Sequence, residues 1–272
     1  MKTILGSIRK VKTRTRPFGS GPDNAFSPAL PLDNETLDAL FGGALKLYQR
    51  KRGYRFSLDS VLLADFATIR PGNRVIDLGT GNGVMPLILA YRYPSIVVTG
   101  IEIQREMADR AERNVRLNGY EDRIAIGCID ISSATGHFMA ESFDSVICNP
   151  PYRPASSGRL SPSGEKQIAR HELKANLDDF VQVAAFLLKN KGRFACIHLG
   201  DRTVDLLTAM RDAAIEPKRL RVVHPFAAAK SSMILVEAVK GGRSGLDVLP
   251  PLIVYDSANV YTAELNAILA GS

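Results

Sequence analysis

The run Arg74-Val75-Ile76-Asp77-Leu78-Gly79-Thr80-Gly81-Asn82-Gly83 decides how this chain folds. Its first five residues form an apolar strand. Val84 to Tyr93 behind them has helical periodicity and stops at Pro94. Three glycines at alternate positions between strand and helix let the backbone turn tightly and let a ligand come close to it. Outward from this point the two patterns keep alternating. Strands are predicted at 97–102, 124–128, 143–148 and 192–199, with helices at 105–117, 177–188 and 201–214. Two late strands, 219–223 and 233–239, have little helix between them and suit an antiparallel edge hairpin. The sum is an α/β chain with a doubly wound, mostly parallel, seven-stranded sheet, whose ligands bind at the carboxyl ends of its strands. Upstream, the pattern predicts a short helix over 34–41 stopped by Gly42-Gly43, a strand over 45–49 and a helix from Ser57 to Phe66. Residues 241–256 read either as a hairpin over the sheet edge or as a lip over the substrate.

With 272 residues, 45% hydrophobic and 23% charged, the chain can bury a sizeable core and is not wholly disordered. No apolar run approaches the eighteen residues that span a bilayer, and no apolar segment follows the N-terminal charges as in a secretory signal, so no membrane partner is expected. Cys128, Cys148 and Cys196 stand far apart in apolar runs, which suits buried free thiols in a reducing cytoplasm. The net charge of +7 is uneven. Residues 1–22 hold Lys2, Arg9, Lys10, Lys12, Arg14 and Arg16 and no acid, leaving +1 on the other 250 residues. Residues 1–34 therefore read as a basic, weakly ordered arm, and 35–272 as one domain. A second basic run contains Lys46, Arg50, Lys51, Arg52 and Arg55. Both suit phosphate backbones.

The glycine run alone fits three ligand classes. The absence of Gly-Lys-Ser/Thr excludes a P-loop, and the Gly-x-Gly-x-Gly spacing departs from the dinucleotide fingerprint. Asp77, just before the run, would repel a pyrophosphate but suits a cationic amino-acid group. Glu102 ends the next strand, 21 residues after Gly81, where an acid accepts hydrogen bonds from ribose hydroxyls. Asp130 follows the third strand, placed to accept from an adenine amino group, with Ile129 lining the ring. Three carboxylates at three consecutive strand ends fit a ligand that is positive and carries no phosphate.

The strand 143–148 leads into Asn149-Pro150-Pro151-Tyr152, 68 residues after Gly81. Two prolines remove two N–H donors and stiffen the backbone, leaving carbonyl acceptors. The side-chain oxygen of Asn149 and the carbonyl of Pro150 can together accept both protons of a planar amino group. That turns the nitrogen lone pair toward an electrophile. Tyr152 offers a face on which a base can stack. His137, His171, His198 and His224 have no ligand spacing, so no metal is expected.

The two motifs, with Glu102 and Asp130 between them, resemble those of the amino-methyltransferases that use S-adenosylmethionine. Phe56-Ser57-Leu58-Asp59-Ser60-Val61-Leu62-Leu63 resembles the segment before the glycine run in the bacterial tRNA1(Val) adenine-N(6)-methyltransferase family. Ile168-Ala169-Arg170-His171-Glu172, Lys230 to Glu237, Leu249 to Tyr255 and Tyr261-Thr262 are also similar to that family. The resemblance spans roughly 45–270, and the arm at 1–34 departs from it. It implies a Rossmann-like methyltransferase fold and S-adenosylmethionine as cofactor. Asp77, Gly79, Gly81 and Gly83 would hold the methionine part, Glu102 the ribose and Asp130 the adenine. Ser57 and Asp59 would lie near the cofactor, and Asn149, Pro150 and Tyr152 would handle the target amine.

The implied reaction is methylation of the exocyclic amine of an adenine in tRNA, near the anticodon, with the basic residues Arg9, Lys10, Lys12, Arg14, Arg16, Arg50, Lys51 and Arg52 on phosphates. A glutamine amide of a release factor or an rRNA base is the alternative substrate. Release-factor enzymes carry a helical domain before the glycine run, which residues 1–56 do not resemble. A non-catalytic cofactor or RNA-binding module and a nicotinamide-dependent oxidoreductase are the readings of other classes.

Overall fold

The computed structural model of the chain describes residues 31–52, 58–150, 177–258 and 260–271. In chain order the elements begin with strands β1 (Glu35–Leu40) and β2 (Leu45–Arg50) and helix α1 (Leu58–Phe66). The alternating body follows: β3 (Arg74–Leu78), α2 (Val84–Arg92), β4 (Val97–Glu102), α3 (Arg105–Leu117), β5 (Ile124–Cys128), the single turn α4 (Ala134–His137) and β6 (Phe143–Cys148). After it come α5 (Leu177–Leu187), β7 (Leu188–Leu199), α6 (Thr203–Asp212), β8 (Ile215–His224) and β9 (Met233–Lys240). The chain closes with β10 (Asp247–Val248), β11 (Leu252–Ile253), β12 (Tyr255–Ser257), β13 (Val260–Tyr261) and α7 (Ala263–Ala270).

The seven expected strands form one sheet in the order β5-β4-β3-β6-β7-β9-β8. Strands β3 to β7 are mutually parallel, and β9 inserts between β7 and β8, antiparallel to both. Residues 241–256 do not fold as a hairpin over the sheet edge. Within them β10 and β11 each pair parallel to β8 and widen the sheet to nine strands.

Side-chain alternation along these strands builds two apolar layers. Val75, Ile147, Ala195, Ile197 and Leu235 face one, with α1, α2, α7 and the β1–β2 hairpin. Ile76, Val146, Cys148, Phe194, Cys196 and Val236 face the other, with α5 and α6. Burial of each large aliphatic side chain stabilises by about 1.5–3 kcal/mol. Charged groups are buried too. Glu237 is fully buried on β9. It accepts from Thr68 N at 2.6 Å, Thr68 Oγ1 at 3.0 Å and Arg193 at 2.7 Å, with Arg219 at 3.3 Å, so the link from α1 into β3 is pinned to β9.

Two expectations fail. The helix predicted over 34–41 is the strand β1, paired antiparallel with β2 in the register Glu35↔Arg50 to Leu40↔Leu45. Phe41, Gly42 and Gly43 all have positive φ, at 51°, 63° and 97°. That reverses the chain within three residues and lays 35–40 along 45–50, so cross-strand pairing overrides the local helical pattern. Cys128 is exposed rather than buried, because β5 is the outer strand of the sheet; Cys148 and Cys196, on inner strands, are buried.

Candidate active site

Strand β3 lies between β4 and β6, and all three end at the same rim. The glycine run folds over that rim. The N–H groups of Gly79 and Thr80 both donate to the carbonyl of Ile101 at 2.9 Å, and the N–H of Gly81 donates to Glu102 Oε2 at 2.9 Å. Two glycines are required by close approach. A Cβ on Gly83, at φ +81°, would lie 3.0 Å from the Ala111 Cβ of α3, and one on Gly100 in β4 would lie 2.8 Å from Thr80 Oγ1.

The register Leu78↔Cys148 sets Asn149 abreast of Gly79. The two line one pocket with Ser60, Asp77, Thr80, Asn82, Val84 and Met85. Asp77 is only 2% exposed. Its Oδ2 is buried without a hydrogen-bond partner among the described residues. Burial pushes its carboxyl up to about 7; Thr80 pulls it down and Glu102 adds to the rise. The carboxyl of Glu102 is also raised by burial, against the N–H groups of Gln104 at 3.0 Å and of Gly81. An ammonium would supply the partner that Asp77 Oδ2 lacks, so the pocket fits the amino-acid end of S-adenosylmethionine.

The remaining expected residues fall as follows. Ile129 is half-buried and its N–H donates to the carbonyl of Glu102 at 2.9 Å, which brings Asp130 to the next strand end. Asp130 is exposed, and its Oδ1 accepts from the N–H of Ser132 at 2.9 Å, capping a single 3-10 turn. Asp59 lies in the first turn of α1, half-buried. Pro150 is buried. Arg50 turns onto Glu106 at the start of α3, Nε to Oε1 3.0 Å. Lys51 and Arg52 are exposed, with Lys51 Nζ on the carbonyl of Asp33 at 2.8 Å. Ser57, Tyr152, the segment 168–172 and the arm residues Arg9, Lys10, Lys12, Arg14 and Arg16 lie outside the described residues.

Five pocket residues went unassigned in the sequence: Ser60, Thr80, Asn82, Val84 and Met85. Ser60 had a signal, a polar side chain among the apolar positions of α1 and one turn after Ser57. So did Asn114, fully buried beside Met107, Ala111 and Val115 on the apolar stripe of α3.

Residues 57–199 match the family model of the methyltransferase small domain. The fold, the pocket and this match define an S-adenosylmethionine-dependent methyltransferase of the Rossmann-like class. The chain is 31% identical over 219 residues to the tRNA1(Val) (adenine(37)-N6)-methyltransferase of Porphyromonas gingivalis, covering 77% of this chain and 85% of that protein. It is 30% identical over 177 residues to the protein of the same name from Shewanella halifaxensis, covering 65% and 69%. A predicted O-methyltransferase from Agrobacterium tumefaciens shares the fold with a TM-score of 0.64 at 23% identity, over 78% of this chain and 96% of that one. The chain belongs to the family of bacterial tRNA1(Val) adenine-N(6)-methyltransferases. The oxidoreductase and non-catalytic readings fall with that. No helix among the described residues is long and apolar enough to cross a membrane.

Proposed function

We propose that this enzyme methylates the exocyclic amine of an adenine in tRNA, near the anticodon. The observation that carries the reading is the position of Asn149, directly after β6, in the same pocket as Asp77 and Gly79. S-adenosylmethionine, when bound, supplies a methyl group already activated on a sulfonium, so the chain needs no covalent nucleophile.

Asp77 and the turn of Gly79, Gly81 and Gly83 hold the cationic amino-acid end, with Ser60 on the α1 side of the pocket and Ser57 and Asp59 in the same segment. Glu102 takes the ribose hydroxyls, and Ile129 with Asp130 takes the adenine of the cofactor. The side-chain oxygen of Asn149 and the carbonyl of Pro150 accept the two protons of the substrate amine, which aims its lone pair into the pocket. Tyr152 stacks on the target base, which must be unpaired or flipped to reach it. The proton leaves the nitrogen after transfer, so no strong general base is assigned. Buried acceptors held in place before reaction lower the barrier without reorganising during it. Lys51 and Arg52, which are exposed, and the basic residues of the arm contact phosphates of the tRNA.

The test uses purified protein, labelled S-adenosylmethionine, unmodified tRNA and unmodified release factor. Label recovered from tRNA as N(6)-methyladenine is the expected result; label in the release factor alone overturns it. Asn149→Ala lowers turnover by roughly a hundredfold and leaves S-adenosylhomocysteine affinity within about twofold. Equal losses in both overturn the role given to Asn149.

A further inference from the structure

Three aromatic rings on the substrate side have no part in the chemistry above. Phe226 follows β8, Tyr255 opens β12 and Tyr261 ends β13. Tyr255 and Tyr261 are cross-strand partners, stacked with centroids 5.2 Å apart and planes 25° apart. Phe226 lies against Tyr255 at 5.4 Å and 32°. The outer members are open to solvent, Phe226 at 41% and Tyr261 at 38%.

The backbone beneath them is firmly tied. The N–H of Val254 donates to the carbonyl of His224 and that of Tyr255 to the carbonyl of Pro225, both at 2.9 Å. The N–H of Thr262 donates to the carbonyl of Val254 at 3.1 Å, and Thr262 Oγ1 caps α7 by accepting from the N–H of Leu265. The rings are thus a preformed ladder rather than side chains that must order on contact.

Its location follows from topology. Strands β8 and β11 run parallel to β6, so their carboxyl ends meet the rim that carries Asn149. Counting β6-β7-β9-β8-β11 at about 4.8 Å per step, the ladder stands roughly 15–20 Å along the rim from Asn149. The basic end of β2 lies on the other side of Asn149, over the start of α3.

We propose that Phe226, Tyr255 and Tyr261 form a stacking platform for an unpaired nucleobase of the RNA substrate, other than the base that is methylated. The inference rests on the tRNA reading above. Rings stacked within about 30° of parallel, the outer two open to solvent, suit a flat ring, and stacking of this kind tolerates any base. A hollow of about 310 Å³ adjoins the ladder, lined by Ile253, Thr262 and the carboxylates of Asp256 and Glu264. Glu264 is paired with Arg221 Nη2 at 2.6 Å, and Asp256 is placed to accept from ring and exocyclic N–H groups of a base. Polar residues (Lys230, Asp256, Ser257, Glu264) interrupt its surroundings.

The experiment compares full-length wild type with the double variant Phe226→Leu/Tyr261→Leu, which keeps apolar bulk and removes the two exposed rings. The probes are a valine tRNA transcript and a single-stranded RNA carrying 2-aminopurine. The variant is expected to bind both RNAs roughly tenfold more weakly. It should lose 2-aminopurine quenching and keep its affinity for S-adenosylhomocysteine and its salt dependence. Wild type that binds and methylates tRNA while the variant matches it would overturn the platform alone. A variant that melts earlier yet binds RNA normally would do the same, by showing that the rings pack against the chain itself. A variant impaired only toward unmodified release factor would assign the rings to a protein partner. Wild type that binds neither RNA would overturn the platform and the tRNA reading together.

Discussion

Asn114, fully buried in α3, donates through its side-chain amide to the backbone carbonyl of Asn82 in the glycine turn at 2.9 Å. The same side chain grips β2. Its Oδ1 accepts from the N–H of Tyr48 at 2.6 Å, and its Nδ2 donates to the carbonyl of Tyr48 at 3.1 Å. One turn later Asn118 repeats the grip on Lys46, accepting at 2.9 Å and donating at 2.7 Å. Four residues of helix rise about 6.0 Å and two residues of strand about 6.7 Å, so the helix can clamp alternate residues of the strand. Hairpin, helix and glycine turn are thereby one tied unit.

The two asparagines should therefore separate by experiment. Asn114→Ala strands three buried backbone groups, each worth about 1–3 kcal/mol when unpaired, and frees the turn that carries Gly81 and Gly83. Asn118→Ala loosens only the hairpin. Both variants should melt earlier in a thermal scan. Only Asn114→Ala should weaken S-adenosylhomocysteine binding, by about tenfold, the equivalent of 1.4 kcal/mol. The same affinity in both variants would count against a link from Asn114 to the cofactor turn.

Cofactor binding should depend on pH through Asp77. Its carboxyl titrates at about 7 in the free protein because it is buried. Pairing with an ammonium requires the charged form, so below pH 7 binding must release a proton. Affinity for S-adenosylhomocysteine should fall as pH drops from 8 to 6, by up to about tenfold per unit below 7. Calorimetry in buffers of different ionisation enthalpy should detect nearly one proton released at pH 6 and almost none at pH 8. A flat profile with no proton release would remove the ammonium role from Asp77.

The same group should cost stability when no ligand is bound. A carboxyl raised in the folded state binds its proton more tightly there than in the unfolded chain, so its contribution favours folding at low pH and declines from about pH 4 to pH 7. Asp77→Asn should accordingly raise the melting temperature at pH 8 and change it little at pH 4, while abolishing cofactor binding. A lower melting temperature at pH 8 would contradict the buried-charge account.

Substitution of the basic end of β2 should alter salt dependence. Lys51 and Arg52 are exposed, whereas Arg50 is tied to Glu106. Lys51→Ala/Arg52→Ala should weaken tRNA binding and reduce the slope of log affinity against log salt by up to about two. Arg50→Ala should mainly lower thermal stability. An unchanged slope in the double variant would exclude 51–52 from phosphate contact.

Much of this site was legible in the residues themselves. Asp77-Leu78-Gly79-Thr80-Gly81-Asn82-Gly83 lies between a strand and a helix in sequence as it does in space, because each feature that marks it is local: apolar alternation, glycine at left-handed positions, a helix start. Glu102 and Asn149 followed from strand ends, since parallel strands joined by crossover helices must finish at one rim. Ser60 was harder, because only the packing of α1 against α2 and β7 brings it to the pocket.

The sequence by itself determined the alternation of strands and helices from 74 to 239, the rim on which the acids gather and the place of Asn149-Pro150 at a strand end, all carried by neighbours along the chain. Only the tertiary structure decided that residues 35–40 are a strand, that Asn114 ties that strand to the glycine turn, and that Phe226, Tyr255 and Tyr261 stack. The physical reason is separation. Glu35 meets Arg110 and Arg113 across 75 and 78 residues, and Asn114 meets Tyr48 across 66. Long-range contacts of that kind outweigh local propensity and leave no periodic trace in the sequence.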